Sequence, residues 1–391
     1  MSEPAPPVDI GAMRLQARVL RSAGRYEEAL RLLTAALRLA PGDRAVMRAL
    51  VETRAAAAIA AGDWPALSRA WATVAGGLAI RTGVEPGLPA PLVRMTIGGG
   101  RLTARLPAER GTSPSDSPVI VALRLLRPTR FWLAIDRTFG RPVTVLVDPT
   151  DGDGPARTLP HLAGSSRCDL AIPIPDFDFL GEAGYAALLA RLEDVPWPAR
   201  RPVALWRGAP TGEVPASGDA ADLPRVRLCR IAAASGGRID AGLHRLVDLE
   251  RFPPGTQTAL EPLLRPLVAT SSYPRWRYQI YIDGHANAWS GMFQRLATGS
   301  AVLKVESAAG WRQWYYDRLV PWRTVVPVAS DLSDLVDKVD WLRRNDEFAA
   351  AIGRAGQALV RALDLDSQLA EGMQAVRMAE QALIRAEGQG R

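Results

Sequence analysis

Three aspartates follow the apolar run "VTVLV" in the segment "DPTDGDG": Asp148, Asp151 and Asp153. The apolar run predicts a buried β-strand, and in an open α/β sheet the loop after a strand borders the ligand crevice. A carboxylate there suits general-base deprotonation of a hydroxyl group. The two carboxylates of "DGD" can instead hold a metal ion. Aspartate and glycine also dominate turns for backbone reasons alone, so the spacing leaves three interpretations open.

A second group of polar residues follows other apolar runs. In "ALWRGAPTG", Arg207 ends a predicted strand and Gly208 permits close approach of a ligand. Arginine suits a diphosphate there, although a surface ion pair is an equal alternative. The segment "YPRWRYQIYIDGHANAWSG" mixes polar and aromatic side chains that suit a ribose or a sugar, or simply the start of the next helix. Its candidate residues are Arg275, Arg277, Asp283, Asn287, Trp289 and Ser290.

Several familiar kinds of site are absent from the sequence. There is no P-loop, no H-E-x-x-H, no G-x-S-x-G and no C-x-x-C motif. Two cysteines and three scattered histidines exclude a disulfide framework and argue against structural zinc or a histidine-based triad. Carboxylates at strand ends therefore remain the best candidates for chemistry.

The segment "WRQWYYDRLVPWRTVVPV" contains five aromatic residues within its first twelve positions. A nucleic-acid stacking platform requires exposed rings along a basic groove, whereas the apolar neighbours here favour burial. We expect Trp311, Trp314 and Tyr315 to pack and position this loop, with one or two rings near a ligand, and Trp322 to lie in the core.

Composition limits the class of partner. The 391 residues carry a net charge of +7, supplied far more by arginine than by lysine, which favours phosphate-bearing or acidic partners. A GC-rich genome explains the arginine content equally well. No recognised nucleic-acid-binding module is present. The start "MSEPAPPVDIG" lacks the features of a signal peptide, and no apolar run reaches about 18 residues. We expect a cytoplasmic protein without a transmembrane segment, able to associate with the inner face of a membrane.

The elements that position these residues fall into three regions. Residues 10 to about 80 have helical periodicity, and "GRYEEA" is echoed by "GDWPAL" near the 34-residue period of tetratricopeptide repeats. We expect a helical extension made of two degenerate copies of this repeat. An unrelated helical bundle is the alternative. "VRMTIGGGRLTARL" then predicts two strands around a glycine turn. The last part of the chain alternates strands and helices, which indicates a parallel sheet. Two α/β halves with a cleft between them are therefore expected.

The segment "RYQIYIDGHANAWSGMFQRLATGSAVLKVES", followed by "WRQWYYDRLVPWRTVVPVASDLSDLVDKVDWLRRND", resembles glycosyltransferase family 90. That family includes Rumi-type protein O-glucosyltransferases, a fungal capsule xylosyltransferase and bacterial lipopolysaccharide-type transferases. Weaker matches in "WRG", "DLAIPIPDFDF" and "VLVDPTDGDG" extend the resemblance to roughly residues 120 to 345.

The resemblance implies a GT-B-like pair of Rossmann-like domains behind the tetratricopeptide-like extension. We predict four regions on this basis. They are a helical extension (1–85), an acceptor-side α/β domain (86–200), a nucleotide-sugar-binding α/β domain (201–365) and a C-terminal helix (366–391).

The resemblance also implies roles for particular residues. Asp151 falls at the position of the family's catalytic aspartate, with Asp153 as the alternative, and Asp176 and Phe177 face the acceptor side of the cleft. Many relatives carry a phosphate-binding arginine where this chain has Met292, so Arg295 is the expected substitute. The residues predicted to bind the nucleotide sugar are Arg207, Gly208, Arg225, Arg277, Asp283, Gly284, Asn287, Trp289, Ser290, Arg295, Gly299, Ser300 and Glu306.

The implied activity is inverting transfer of a sugar from a UDP-sugar to a hydroxyl of a glycan or lipid-linked, lipopolysaccharide-type acceptor. Asp151 would act as the base, Arg207 and Arg295 would stabilise the departing diphosphate, and no metal or other cofactor is obligatory. Two alternatives remain: a protein O-glycosyltransferase, and a non-catalytic adaptor whose N-terminal helices bind a protein partner. Met292 is the feature that favours the adaptor.

Overall fold

The computed structural model describes residues 9–109, 116–152 and 157–389. The chain begins with four helices that pack against their neighbours in sequence. The carboxylates of Asp9, Asp43 and Asp63 accept hydrogen bonds from backbone N–H groups at three helix starts. Glycines with positive φ lie between the first two helices, at Gly24, and directly after the third, at Gly62. The helices are α1 (Ile10–Ser22), α2 (Tyr26–Leu39), α3 (Arg44–Ala61) and α4 (Trp64–Ala72).

The first sheet has six strands in the order β1-β3-β2-β4-β5-β6 and is mixed. The predicted glycine-turn hairpin is confirmed, because β2 and β3 pair antiparallel around Gly99 and Gly100, both with positive φ. β4, β5 and β6 are parallel to one another. The strands are β1 (Ala79–Glu85), β2 (Val93–Gly98), β3 (Arg101–Pro107), β4 (Val143–Asp148), β5 (His161–Ala163) and β6 (Ala171–Pro173).

The second sheet has five strands, all parallel, in the order β11-β10-β9-β7-β8. The chain direction across the sheet reverses between β7 and β9, and ligands bind beside the carboxyl ends of strands at such a switch point. The strands are β7 (Arg201–Gly208), β8 (Ile239–Leu243), β9 (Trp276–Tyr281), β10 (Ala301–Val305) and β11 (Val326–Val328).

Ten further helices follow the extension within the described ranges. α14 returns from the end of the second half to pack on β4, β5, β6 and α6 of the first sheet, and the carboxylate of Glu380 in α14 pairs with Arg141 at 2.7 Å. The helices are α5 (Pro118–Leu126), α6 (Thr129–Phe139), α7 (Phe177–Gly181), α8 (Ala186–Leu189), α9 (Pro224–Ala234), α10 (Thr256–Leu260), α11 (Ser290–Ala297), α12 (Leu335–Arg344), α13 (Asp346–Arg361) and α14 (Leu365–Gln389).

The aromatic run packs between the two halves of the α/β body. The ring of Phe179, beside the first sheet, lies 5.8 Å from Phe293 and 5.2 Å from Trp314. Tyr315 is fully buried in the same cluster, so the predicted packing role is confirmed there. Trp322 is a correction: its side chain is 45% exposed, because a left-handed backbone (φ 61°) turns it outward against Trp341.

The mixed α/β class and the helical extension are confirmed. None of the helices in the described ranges is both long and apolar enough to span a bilayer.

Candidate functional site between the two sheets

The loop after β4 is fixed by a buried ionic network. Asp148, the last residue of the strand, accepts hydrogen bonds from the backbone N–H of Thr150 at 2.9 Å and from its hydroxyl at 2.6 Å. Arg157 donates to the other carboxylate oxygen at 2.9 Å. Asp148 is thus occupied by structural contacts, and Asp151 is the other described carboxylate of this loop. Asp153 lies outside the described residues.

Asp151 is held by an arginine that was not among the predicted site residues. The Nη2 atom of Arg124, in the last turn of α5, lies 2.5 Å from a carboxylate oxygen of Asp151. The same guanidinium stacks over the ring of Trp289, with Cζ 4.1 Å from the centroid. Arg124 therefore connects the candidate base of the first half to the 283–290 segment of the second half.

Direct contacts bring the carboxyl ends of the two sheets together. The backbones of Ser166 and Arg312 exchange two N–H bonds, at 3.2 and 3.0 Å. The amide of Asn287 donates to the hydroxyl of Ser165. A Cβ at Gly152 would lie 3.3 Å from the ring of Trp311, so the turn beside Asp151 also meets the second half. Asp151 therefore adjoins the 283–290 segment through Arg124 and Trp289.

Trp289 has an unusual backbone conformation, with φ 46° and ψ −122°. Its N–H is bonded to the side-chain oxygen of Asn287 at 2.8 Å, and α11 begins at the next residue, Ser290, without a side-chain cap. The N–H of Gly291 is bonded to the carbonyl of Ala288 at 2.7 Å, and the dipole of the helix start still favours an anion nearby. Such strained residues are concentrated at functional sites.

A cavity of about 150 Å³ lies at the switch point of the second sheet. It is formed by the loops after β7, β9, β10 and β11 together with the first residue of α9. Its polar side chains are acceptors of hydrogen bonds more than donors, and no arginine or lysine lines it within the described part of the chain. The polar and charged lining residues are Thr211, Glu213, Asp283, Glu306 and Ser330.

Arg225 ties together the two loops that flank this cavity. It is 9% exposed and donates to the carbonyl oxygens of Asp283 (2.7 Å), Ile282 (3.1 Å) and Ala209 (3.3 Å) and to the hydroxyl of Thr211 (2.6 Å). Burial lowers the pKa of this guanidinium to about 10. In this arrangement Arg225 shapes the cavity by holding the backbone of the two loops. The N–H donors of its guanidinium are already engaged.

Gly284 is required by this clamp. A Cβ at that position would lie 2.7 Å from the hydroxyl oxygen of Thr211 and 2.9 Å from Nη2 of Arg225. Beside it, burial raises the pKa of the Asp283 carboxyl, partly offset by Ser307 and Lys304. Oδ2 of Asp283 is buried without a hydrogen-bond partner in the described part of the protein, so a ligand hydroxyl group reaching it would fill an unmet requirement.

Asp176 and Phe177 lie at the junction between the halves, both buried. The Asp176 carboxylate caps α7 through the N–H of Phe179 at 2.7 Å and accepts from the hydroxyl of Tyr185 at 2.9 Å. The amide of Gln313, from the aromatic run, donates to it at 3.2 Å. Burial raises the pKa of Asp176 to about 7. These contacts give Asp176 a joining role, whereas the acceptor-side role remains a prediction.

Arg207 is not brought together with the other predicted residues. Its guanidinium donates to the carboxylate and the carbonyl of Asp240 on β8, at 2.7 and 2.9 Å, and to the carbonyls of Trp206 and Pro266. β8 lies on the opposite side of β7 from β9, so this side chain points away from the switch point. Packing explains why residue 208 is a glycine, because a Cβ there would lie 2.3 Å from the Trp206 ring.

Three other predicted residues lie at the amino-terminal ends of strands in the second sheet. Arg277 is near the start of β9 and pairs with Asp346 at 2.9 Å. Gly299 and Ser300 precede β10, where the Ser300 hydroxyl donates to a backbone carbonyl at 2.7 Å. In a parallel sheet the strand starts are remote from the carboxyl-end crevice, so this geometry does not bring the three residues to the cavity.

The expected arginine substitute is also buried. Met292 is fully buried in the apolar core. Arg295 is 6% exposed, bonds within its own helix to the carbonyl of Gly291 at 2.8 Å, and lies 5.6 Å from the Tyr273 ring. Its Nε is buried without a partner in the described residues. The contribution of Arg295 to phosphate binding remains a prediction.

A metal site is not evident in the described ranges, because no three histidine, cysteine or acidic side chains converge there.

With this geometry in place, the comparisons with known proteins identify the class. The family model for glycosyl transferase family 90 matches residues 165–368, more than half of the chain. The chain therefore belongs to glycosyl transferase family 90. A tetratricopeptide-repeat model matches residues 11–53, in agreement with the predicted extension.

Relatives with curated sequences match parts of the same region. "Protein O-glucosyltransferase 2" of Danio rerio is 32% identical over 137 residues, which is 35% of this chain and 26% of the relative. "Protein O-glucosyltransferase 3" of Homo sapiens is 37% identical over 89 residues, 23% of this chain and 17% of the relative. "Uncharacterized protein 035R" of Invertebrate iridescent virus 3 is 30% identical over 184 residues, 44% and 16% respectively. The matched regions thus span about a sixth to a quarter of these relatives.

Proposed function

We propose that this protein is an inverting glycosyltransferase that transfers a sugar from a UDP-sugar to a hydroxyl group of an acceptor. The observation that carries the proposal is the position of Asp151. Through Arg124 it adjoins Trp289, the residue before the uncapped start of α11. In this proposal Asp151 is the base, and it faces the same cleft as the start of α11.

The donor nucleotide is proposed to occupy the cavity at the switch point. Glu306 and Asp283 supply carboxylate oxygens that accept hydrogen bonds from the hydroxyl groups of a ribose. The diphosphate would then extend towards the start of α11, where the helix dipole stabilises negative charge. The GT-B arrangement of paired Rossmann-like domains is part of the same proposal.

The chemistry follows from these positions. Asp151 removes the proton from the acceptor hydroxyl as its oxygen forms a bond to C1 of the sugar. The bond from C1 to the diphosphate oxygen breaks on the opposite face, which inverts the anomeric carbon, and UDP departs with the bonding electrons. Arg124 keeps Asp151 oriented before the acceptor arrives. We propose that this transfer needs no metal ion.

The acceptor is proposed to be a glycan or lipid-linked glycan of the lipopolysaccharide type, with the protein in the cytoplasm or at the inner face of a membrane. A protein acceptor is the second candidate, because two of the relatives reported above are named protein O-glucosyltransferases and the helical extension offers a surface for a protein. A non-catalytic adaptor is a third candidate, favoured by the burial of Met292 and Arg295.

The test uses the purified full chain with UDP-glucose, UDP-xylose and UDP-galactose in turn, with and without EDTA. We expect slow UDP release from one of these donors, unchanged by EDTA, and binding of UDP in calorimetry. Failure to bind UDP and to release it from any donor would favour the adaptor. Loss of activity in EDTA that returns with added Mg²⁺ or Mn²⁺ would overturn the metal-independent mechanism.

A further inference from the structure

A groove runs between the helical extension and the α/β body, away from the donor cavity. It consists of two adjoining cavities of about 430 and 370 Å³. Arg48, Glu52 and Arg127 line both cavities, so the two are continuous. We call this feature the arginine groove; its walls come from α1, α3 and the segment after α5.

Positive charge dominates the groove. Arg14, Arg18 and Arg21 lie on one face of α1 at helical spacing. With Arg48 and Arg127 they make five arginines in the larger cavity, against two carboxylates, Glu52 and Glu182. The side chains that line the larger cavity therefore carry a net charge of +3, five minus two, and Asp178 just outside the lining pairs with Arg127. A surface recess with this charge attracts an anionic ligand.

The internal carboxylate does not neutralise these arginines. Glu52 is 6% exposed, and its carboxylate forms ion pairs with Arg21, Arg48 and Arg127. The nitrogen–oxygen distances are 3.1 to 3.2 Å. Arg21 is 7% exposed, and its Nε is buried without a hydrogen-bond partner among the described residues. Arg14 and Arg18 form no ion pair within the described part of the chain and are exposed. A second hydrogen-bond acceptor from a ligand would pair with the remaining N–H donors of these arginines.

The smaller cavity adds apolar surface. Met47, which is 51% exposed, lies there with Val51, Val74 and Leu126. Leu15, 55% exposed, borders the larger cavity. Exposed apolar side chains beside arginines are typical of protein interfaces. A polysaccharide has no apolar side chains for such a recess, whereas a peptide can offer acidic and apolar side chains alternately.

The groove ends one helical turn from the candidate catalytic site. Arg127, which pairs with Glu52 and with Asp178 at 2.7 Å, is three residues after Arg124. Arg124 lies in the last turn of α5 and Arg127 is its C-cap. The groove and the ion pair of Arg124 with Asp151 therefore meet at the same end of α5.

We propose that the arginine groove binds an acidic, leucine-containing segment of another protein, as an acceptor or as a partner that delivers one. Carboxylates of the segment bind Arg14, Arg18 and Arg21, and its apolar side chains fill the recess beside Met47. The proposal concerns binding and does not depend on sugar transfer.

The experiment measures fluorescence anisotropy of a labelled peptide of repeated Glu-Glu-Leu-Leu with the full chain. We expect saturable binding, and weaker binding of the Gln-Gln-Leu-Leu and Glu-Glu-Gly-Gly peptides. The double substitution Arg14→Glu and Arg18→Glu should weaken binding roughly tenfold or more, because like charges then face each other. Circular dichroism would verify that this exposed double variant is folded.

The matched control is Arg31→Glu with Arg38→Glu, which makes the same charge change on exposed positions of α2. This control should bind the peptide as the wild type does. Equal weakening by both double variants, or binding of Glu-Glu-Gly-Gly and of polyphosphate as tight as Glu-Glu-Leu-Leu, would identify a general polyanion surface and overturn the proposal. UDP release without an acceptor should be unchanged in the groove variants, which separates this test from that of the transferase.

Discussion

Arg124 and Asp151 form an ion pair of 2.5 Å within the first half of the α/β body, at the cleft between the two sheets. Both side chains are largely shielded from water, at 14% and 18% exposure, and the arginine is also stacked on Trp289. One guanidinium thus fixes the direction of the candidate base and the position of the tryptophan before α11. This places Arg124 in a positioning role that can be tested separately from proton transfer.

Replacing Arg124 with Gln should lower kcat for transfer or donor hydrolysis by about 10²-fold, since a small misplacement of a reacting group has that effect. Lysine retains the charge but loses the planar stacking, so Arg124→Lys should restore only part of the rate. Steady-state kinetics measures both variants. Arg130→Gln, an exposed position on α6, serves as the control, and equal losses in Arg124→Gln and this control would contradict the positioning role.

Removing the candidate base itself should give a larger loss. Asp151→Asn keeps the shape of the side chain but cannot accept the proton, so we expect kcat to fall by about 10²–10⁴-fold. Calorimetry should find UDP affinity nearly unchanged, because the donor cavity lies in the other half. A variant that transfers sugar at the wild-type rate would remove Asp151 from the mechanism and direct attention to Asp153.

Gly284 provides a steric test of the switch-point cavity. In Gly284→Ala the added methyl group would lie 2.7 Å from the Thr211 hydroxyl oxygen and 2.9 Å from the Arg225 guanidinium. The guanidinium must then shift, and it would release the two loops that it holds together. We expect weaker UDP binding, by roughly tenfold or about 1.4 kcal/mol, and a lower Tm. Gly42→Ala, where nothing lies within 4 Å of the added Cβ, is the control. Unchanged UDP affinity in Gly284→Ala would place the nucleotide elsewhere.

Arg207 distinguishes a structural role from the predicted diphosphate contact. Because its guanidinium donates four hydrogen bonds to Asp240, Trp206 and Pro266, Arg207→Ala should reduce the free energy of unfolding by about 2–3 kcal/mol. UDP affinity of the folded variant should stay within about twofold of wild type. Urea denaturation and calorimetry measure the two effects, with exposed Arg230→Ala as the control. A large loss of UDP affinity at unchanged stability would support the original prediction.

The sequence predicts the elements better than the individual contacts. Apolar runs bounded by turn residues locate β4, β9 and β10, because burial of a strand leaves a pattern in consecutive residues. That pattern also indicates that Asp151 follows a strand and faces a cleft. The antiparallel hairpin of β2 and β3 follows from its glycine turn in the same way.

The partners of a long side chain leave no such pattern. Arg124 lies in an ordinary amphipathic helix, 27 positions before Asp151 in sequence, and only the packing of α5 brings the two together. Arg207 is at a strand end as predicted, but whether its side chain turns to β8 or to β9 depends on the neighbours that the fold supplies. Arg225 differs again, since its acceptors are backbone carbonyls, which every residue carries.

The pH dependence of stability tests the junction at Asp176. Burial raises its pKa in the folded protein to about 7, whereas an unfolded chain releases the proton near pH ~4. Between these values the folded state binds more protons, so the stabilisation is complete below pH ~4 and is lost as the pH rises through about 7, with a slope of up to about 1.4 kcal/mol per pH unit. Asp176→Asn should remove this slope, as measured by urea denaturation across that range, while the exposed Asp169→Asn control keeps it. The same slope in wild type and Asp176→Asn would mean that Asp176 is already ionised in the folded protein, held by Tyr185, Gln313 and the N–H of Phe179.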